Sequence, residues 1–143
     1  MSGVDLLPTL TSLAGIRPAG TDIDGENLSP VLLGRPATRQ RLLFWEWLFD
    51  GVGDDRYLAP PLAVREGPWK LYADHAGAAV ELYDVTRDPS ELVNLADQHP
   101  AVVGRLTAEV RAWAKTLPAE EHREAIAGGA ARIKTIGPAG RGR

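Results

Sequence analysis

Apolar positions recur at three- and four-residue spacing near both ends of the chain, and alternate in short runs between them. Leu6, Leu7, Leu10, Leu13 and Ala14 form one stripe, which predicts a helix. Asp5 stands at its N-cap, Pro8 in its first turn, and Gly15 and Pro18 after its end. Residues 16–41 read as loop, with a turn at Asp24-Gly25 and a short helical turn from Leu28 to Leu33 before Gly34 and Pro36. A strand is expected over Leu42 to Trp47, dense in aromatics, followed by an irregular loop carrying Gly51, Gly53, Pro60 and Pro61. Ala63 to Arg65 and Trp69 to Tyr72 flank Glu66-Gly67-Pro68, the spacing of a tight hairpin. Val80 to Val85 makes another strand, closed by a turn at Asp88-Pro89. The second helix runs from about Pro100 to Thr116, with His99 at its N-cap and Pro118 beyond its end. Its apolar stripe is Val102, Val103, Leu106, Val110, Trp113 and Leu117.

These elements predict an α+β fold: an antiparallel sheet of about four strands covered on one face by a long C-terminal helix. Alternation puts Trp69 and Leu71 on one face and Lys70 and Tyr72 on the other. Trp45 and Trp69 are expected in the core, and Trp47 follows on Trp45's face where the strand meets a loop. The leading helix has no upstream element to pack on, which points to a partner outside the sequence. After Gly128 the chain holds Arg132, Lys134, Arg141 and Arg143 without an acidic residue, and is expected to be a flexible tail.

Composition narrows the function classes. The 143 residues include no cysteine, so this sequence offers no disulfide, thiolate metal site or cysteine nucleophile. With 16 Lys+Arg against 19 Asp+Glu the net charge is −3, unlike a nucleic-acid-binding domain. No apolar run reaches the ~18–20 residues of a membrane span. Met1-Ser2-Gly3-Val4-Asp5 lacks a basic n-region, so no signal peptide is read here.

Candidate chemistry is sparse. Ser2, Ser12, Ser29 and Ser90 lie in no Gly-x-Ser-x-Gly, and Ser90 reads as a turn cap. His75, His99 and His122 lack the four-residue spacing of a helical metal site; they read as a turn residue, a helix cap and a solvated helix end. Asp22-Ile23-Asp24-Gly25 echoes a calcium loop without its closing Glu, and Asp54-Asp55 sits among glycines. Arg39, Arg41, Arg56 and Arg65 flank the strands and are a weak option for an anionic ligand. Exposed aromatics would suit sugar stacking, although a core role is the expected one for Trp45 and Trp69. On physical grounds alone this is a helix-on-sheet module without a self-contained active site.

Six segments in order resemble a known family. Asp5-Leu6-Leu7-Pro8-Thr9-Leu10 with Leu13-Ala14-Gly15 is similar to the D-[IL]-x-P-T-[IL]…LAG helix of sulfatases. Asp24-Gly25-Glu26-Asn27-Leu28 and Val31-Leu32-Leu33-Gly34 resemble that family's DGxSL…LLxG. Phe44-Trp45-Glu46 resembles its [FY]WE strand, and Ala63 to Leu71 its AVRxGxWKL. Glu81 to Val85, with Asp88-Pro89-Ser90-Glu91 and Asn94-Leu95-Ala96, resembles ELYDLxxDPxExxNLA. His99-Pro100 and the helix to Trp113 fit its last helix. The match covers roughly residues 3–118.

The resemblance implies a portion of a metal-dependent sulfuric ester hydrolase of the alkaline-phosphatase-like superfamily. Such enzymes use formylglycine, made from Cys or Ser in C/S-x-P/A-x-R, and a calcium ion held by Asp and Asn. No serine here is followed by x-[Pro/Ala]-x-Arg and no cysteine exists. No catalytic or metal role therefore transfers to any residue of this chain, and calcium and formylglycine are expected in the full-length parent. The implied division is residues 1–41 as the end of the catalytic domain, 42–118 as the C-terminal subdomain and 119–143 as tail. The segment from Trp47 to Arg56 is where a rim of the substrate cleft is expected, with Trp47, Asp50 and Arg56 as contacts to a sulfate ester. The implied partner is the N-terminal catalytic domain; without it the leucine face is expected to self-associate. The resemblance leaves the parent's location open, with periplasm or secretion as the option it raises. The alternatives are a stand-alone binding module built on the same subdomain, and a fragment of a related phosphonate or phosphate monoesterase.

Overall fold

The computed structural model describes residues 1–16, 23–47 and 60–118. Helix α1 (Leu6–Leu13) follows a 3-10 turn at Gly3–Asp5, and α2 is a single turn (Ser29–Leu32). Strands β1 (Leu43–Glu46), β2 (Leu62–Glu66), β3 (Trp69–Ala73) and β4 (Val80–Asp84) form one antiparallel sheet in the order β1-β2-β3-β4. A 3-10 turn (Ala96–Gln98) leads into α3 (Pro100–Ala114), which covers one face of the sheet. The α+β expectation is met. No described helix is long and apolar enough to cross a membrane.

The core is the inner face of the sheet under α3. Leu62, Val64, Leu71, Ala73 and Leu82 meet Leu106 and Val110, all fully buried. Cross-strand pairs Val64↔Leu71 and Leu71↔Leu82 align these side chains in one row. Burying each Leu or Val stabilises by roughly 1.5–3 kcal/mol. Between β2 and β3 the two-residue turn requires Gly67, whose φ is 54°. Trp69 packs at the core margin, and its ring lies 4.7 Å from that of His99. His99 does precede α3, but it makes no side-chain cap hydrogen bond; its ring meets that of Trp69 at a tilt of 54°.

Trp45 departs from its expected place. Phe44 takes the inner position and stacks on Trp113, centroids 5.1 Å apart and planes 10° from parallel. Alternation then sends Trp45, opposite Ala63, to the outer face, where it is 40% exposed. Leu42 to Trp47 is apolar on both faces, so alternation fixes which residues share a face but not which face meets the helix.

The N-terminal segment forms a separate clasp. Among the described elements, α1 touches α2 and the preceding 3-10 turn and no strand. The Asp5 carboxylate does not cap α1. Fully buried, it accepts from the backbone N–H of Ser2 (2.7 Å) and of Glu26 (3.0 Å), and pairs with Arg39. Thr9, also buried, accepts from the Leu28 N–H at 2.9 Å. The Glu26 carboxylate accepts from the N–H groups of Gln40 (2.9 Å) and Arg41, while Arg41 reaches the Ile23 carbonyl at 2.7 Å. Gly25 is obligatory, because a Cβ there would lie 1.9 Å from the Val4 carbonyl oxygen. Arg39 and Arg41 thus hold the chain to itself, which removes them as candidates for an external anion. The clasp leaves Leu6, Leu7, Leu10 and Leu13 exposed, along with Val31, Leu32 and Leu33.

Two outcomes follow. Leu82→Ala lowers stability by about 2–5 kcal/mol in urea unfolding, and Trp45→Ala by a smaller amount; equal losses would contradict the assignment of faces. Burial raises the Asp5 pKa, but the Glu26 and Ser2 amides and Arg39 outweigh it, so the carboxyl sits below its ordinary value. A depressed carboxyl contributes stability above its unfolded pKa of ~3.9 and loses it as pH falls through the folded value. The protection factor of the Glu26 amide, its exchange rate relative to the intrinsic rate at each pH, should therefore stay high at neutral pH and fall below pH ~4 in the parent, and should be low at every pH in Asp5→Asn.

Candidate functional site

The expected rim begins at the end of β1. Trp47 continues the ladder beyond the strand, its N–H donating to the Pro61 carbonyl at 2.7 Å, and its side chain is 68% exposed. Asp50 and Arg56 lie outside the described residues, as do Asp54 and Asp55.

A cleft of about 140 Å³ lies beside this sheet end, lined by Leu62, His75, Arg111, Ala114 and Lys115. The His75 Nε2 is 3.5 Å from the Glu46 Oε1, a carboxylate that is largely buried. Glu46 and Leu62 are cross-strand partners, so the ladder itself puts the acid next to the cleft. The loop from β3 to β4 is closed by Asp74, whose carboxylate accepts from the N–H groups of Ala78 (2.8 Å) and Ala79 (3.1 Å). These bonds hold its pKa below the ordinary value, led by the one from Ala78. His75 is indeed a turn residue, yet one turned toward a carboxylate.

The outer face of the sheet carries a second polar group that sequence reasoning missed. Glu91 accepts from the Lys70 ammonium at 2.6 Å and from the Tyr72 hydroxyl at 2.7 Å. The Tyr83 hydroxyl donates to Glu81 at 3.0 Å, and the two tyrosine rings meet edge to face with centroids 6.1 Å apart. Burial pushes the Tyr83 phenol up to about 12, assisted by the Glu81 carboxylate. Burial would lower Lys70, but its bonds to Glu91 and Tyr72 prevail and raise it. Glu91 reaches this face because its backbone is left-handed, φ 56°, a conformation uncommon for a non-glycine residue and without a sequence signal. The loop is fixed on both sides. Asp88 accepts from the N–H groups of Leu92 (2.7 Å) and Val93 (2.9 Å), and Asn94 from those of Leu82 (3.0 Å) and Ala96 (2.9 Å). Asp88, not Ser90, makes the turn-closing bonds.

The Asp-Pro-Ser-Glu…Asn-Leu-Ala run is therefore a device for pinning a loop to β4. Like Asp5, Thr9 and Gly25, its residues hold the fold. Among the described residues, no group of three or more His, Cys, Asp or Glu could hold a metal ion.

Known proteins place the fold. The chain is 30% identical over 115 residues to mouse (Mus musculus) arylsulfatase K, a match covering 78% of this chain and 21% of that protein. Over 111 residues it is 36% identical to the choline-sulfatase of Rhizobium meliloti, covering 74% and 20% respectively. The chain is sulfatase-like. It corresponds to a C-terminal portion of such enzymes, spanning about a fifth of the length of these relatives. A crystal structure described as a putative sulfatase from Bacteroides thetaiotaomicron matches at a TM-score of 0.50 and 28% identity, over 92% of this chain and 25% of that one. The chain matches no model of a known protein family.

The outer-face geometry has a spectroscopic consequence. In an ultraviolet titration, one tyrosine should ionise only near pH 12, and Tyr83→Phe should remove that component. Ionisation of every tyrosine near pH ~10, the ordinary value, would contradict the buried Tyr83–Glu81 bond.

Proposed function

We propose that this sulfatase-like chain is the C-terminal part of a sulfuric ester hydrolase, completing its fold and forming one rim of its substrate cleft while supplying no catalytic group. The observation that carries this reading is the apolar surface of the clasp. Leu6, Leu7, Leu10 and Leu13 line an exposed face of a helix that touches no strand among the described elements. Exposed apolar patches of this kind mark contact surfaces. In this reading the leucine face packs on the catalytic domain, residues 1–41 ending that domain and 42–118 forming the subdomain beside it. The resemblance assigns calcium and formylglycine to the parent's upstream part.

The rim is assigned to the segment leaving β1, with Trp47, Asp50 and Arg56 toward a sulfate ester. Its support is the exposed Trp47 indole at the sheet end.

Reading the DNA upstream of Met1 separates a fragment from a stand-alone module. An open frame encoding C-x-P-x-R supports the fragment; a stop codon or an unrelated gene supports the module. On the protein itself, the isolated chain should bind a hydrophobic dye and self-associate in light scattering. The pair Leu7→Glu and Leu10→Glu should abolish both while leaving the circular dichroism of the sheet unchanged. A monodisperse wild-type monomer that ignores the dye would sink the docking role of α1.

A further inference from the structure

We infer that the cleft between the end of α3 and the β3–β4 loop binds a tetrahedral oxyanion, as free sulfate or as the sulfate of an ester. It brings three basic side chains, Arg111, Lys115 and His75, around a floor of Leu62 and Ala114 in a space of about 140 Å³. Arg111 and Lys115 have no carboxylate partner among the described residues, whereas Arg39, Arg87 and Arg105 each have one. Lys115 stands at the C-cap of α3, where a cation also complements the helix dipole. Arg111 is a turn earlier and is held differently. Its side chain lies along Gly77, where a Cβ would come within 3.3 Å of the Arg111 Cδ and 3.4 Å of its Nη1. Gly77 has a φ of 77°, and Asp74 locks the loop that presents it. The guanidinium is thus directed by a rigid loop, which limits the entropy lost on binding.

The chemistry of the lining selects the ligand. A guanidinium offers paired N–H donors matched to two oxygens of one oxyanion, and an ammonium adds a point charge. The cations are solvent-exposed, so their attraction to an anion is screened by salt. Glu46 is the acidic group beside the cleft, and its carboxylate faces the His75 imidazole.

Position gives the site a role, which rests on the rim reading above. The cleft lies at the sheet end where Leu62 pairs with Glu46 and Trp47 bonds to Pro61. Trp47 alternates with Trp45 to the outer face and the cleft opens on the α3 side, so a substrate reaching round this sheet end from the rim would set a second sulfate in the cleft, favouring multiply sulfated substrates over singly sulfated ones.

The test is a ¹H–¹⁵N titration of the full chain with sodium sulfate, with methyl sulfate as the ester, and with sodium chloride at matched ionic strength. Saturable shifts are expected at Gly77, the Arg111 side chain and Lys115 with both sulfates and not with chloride. Arg111→Gln should weaken binding about tenfold or more, the scale of one lost charge-assisted hydrogen bond, while Arg87→Gln, at a residue that does not line the cleft, should leave it unchanged. Response to inorganic sulfate alone would support an ion site and exclude the ester. Shifts shared with chloride, or insensitive to Arg111→Gln, would overturn the inference. Shifts confined to the Trp47 indole would overturn it too, yet support the rim; shifts at the cleft with Trp47 silent would support the cleft and count against the rim.

Discussion

One face of a four-stranded sheet must be covered, and α3 covers it. Leu106 and Val110 seal Leu62, Val64, Leu71 and Leu82 from water, and the position of every other residue in this unit follows from that contact. The side chains that alternate away from α3 have to face something else. Lys70, Tyr72 and Tyr83 become an outer polar layer tied to Glu91 and Glu81, and Trp45 becomes a surface residue. The sheet end where Glu46 and Leu62 pair becomes the place where the cleft and the Trp47 segment meet.

The N-terminal clasp obeys a different constraint. It has little apolar interior, and its order comes from buried polar groups with all their partners supplied, Asp5 and Thr9 foremost. A buried carboxylate is tolerable only when paired and hydrogen-bonded, and here Ser2, Glu26 and Arg39 do both. The arrangement turns the leucines outward, opposite to the usual amphipathic helix of a finished domain.

The strands, both main helices and their order were legible because their periodicities are strong and their punctuation is local: Gly15, Gly67, Pro100 and Pro118. Long-range partners were not. Asp5 has the composition of a cap, but its carboxylate serves residues 21 and 34 positions away. Phe44 and Trp45 are adjacent apolar residues, and only Trp113, on a distant helix, decides which one turns inward. The left-handed Glu91 left no trace in composition, so the outer network was invisible. The cleft was hidden for a similar reason, since Arg111 and His75 are far apart in sequence and each looks like an ordinary surface residue. The motif residues, by contrast, were recognised correctly as a pattern, and the structure gives the physical reason for the pattern: Asp88, Asn94 and Gly25 are requirements of the backbone.

The proposed role is that this chain supplies architecture and a rim, with the chemistry supplied elsewhere. Its most direct test is an assay of aryl sulfate hydrolysis by the purified chain alone, with calcium present. The account predicts release no faster than in buffer. Calcium-dependent turnover that follows the chain through successive purification steps would contradict it.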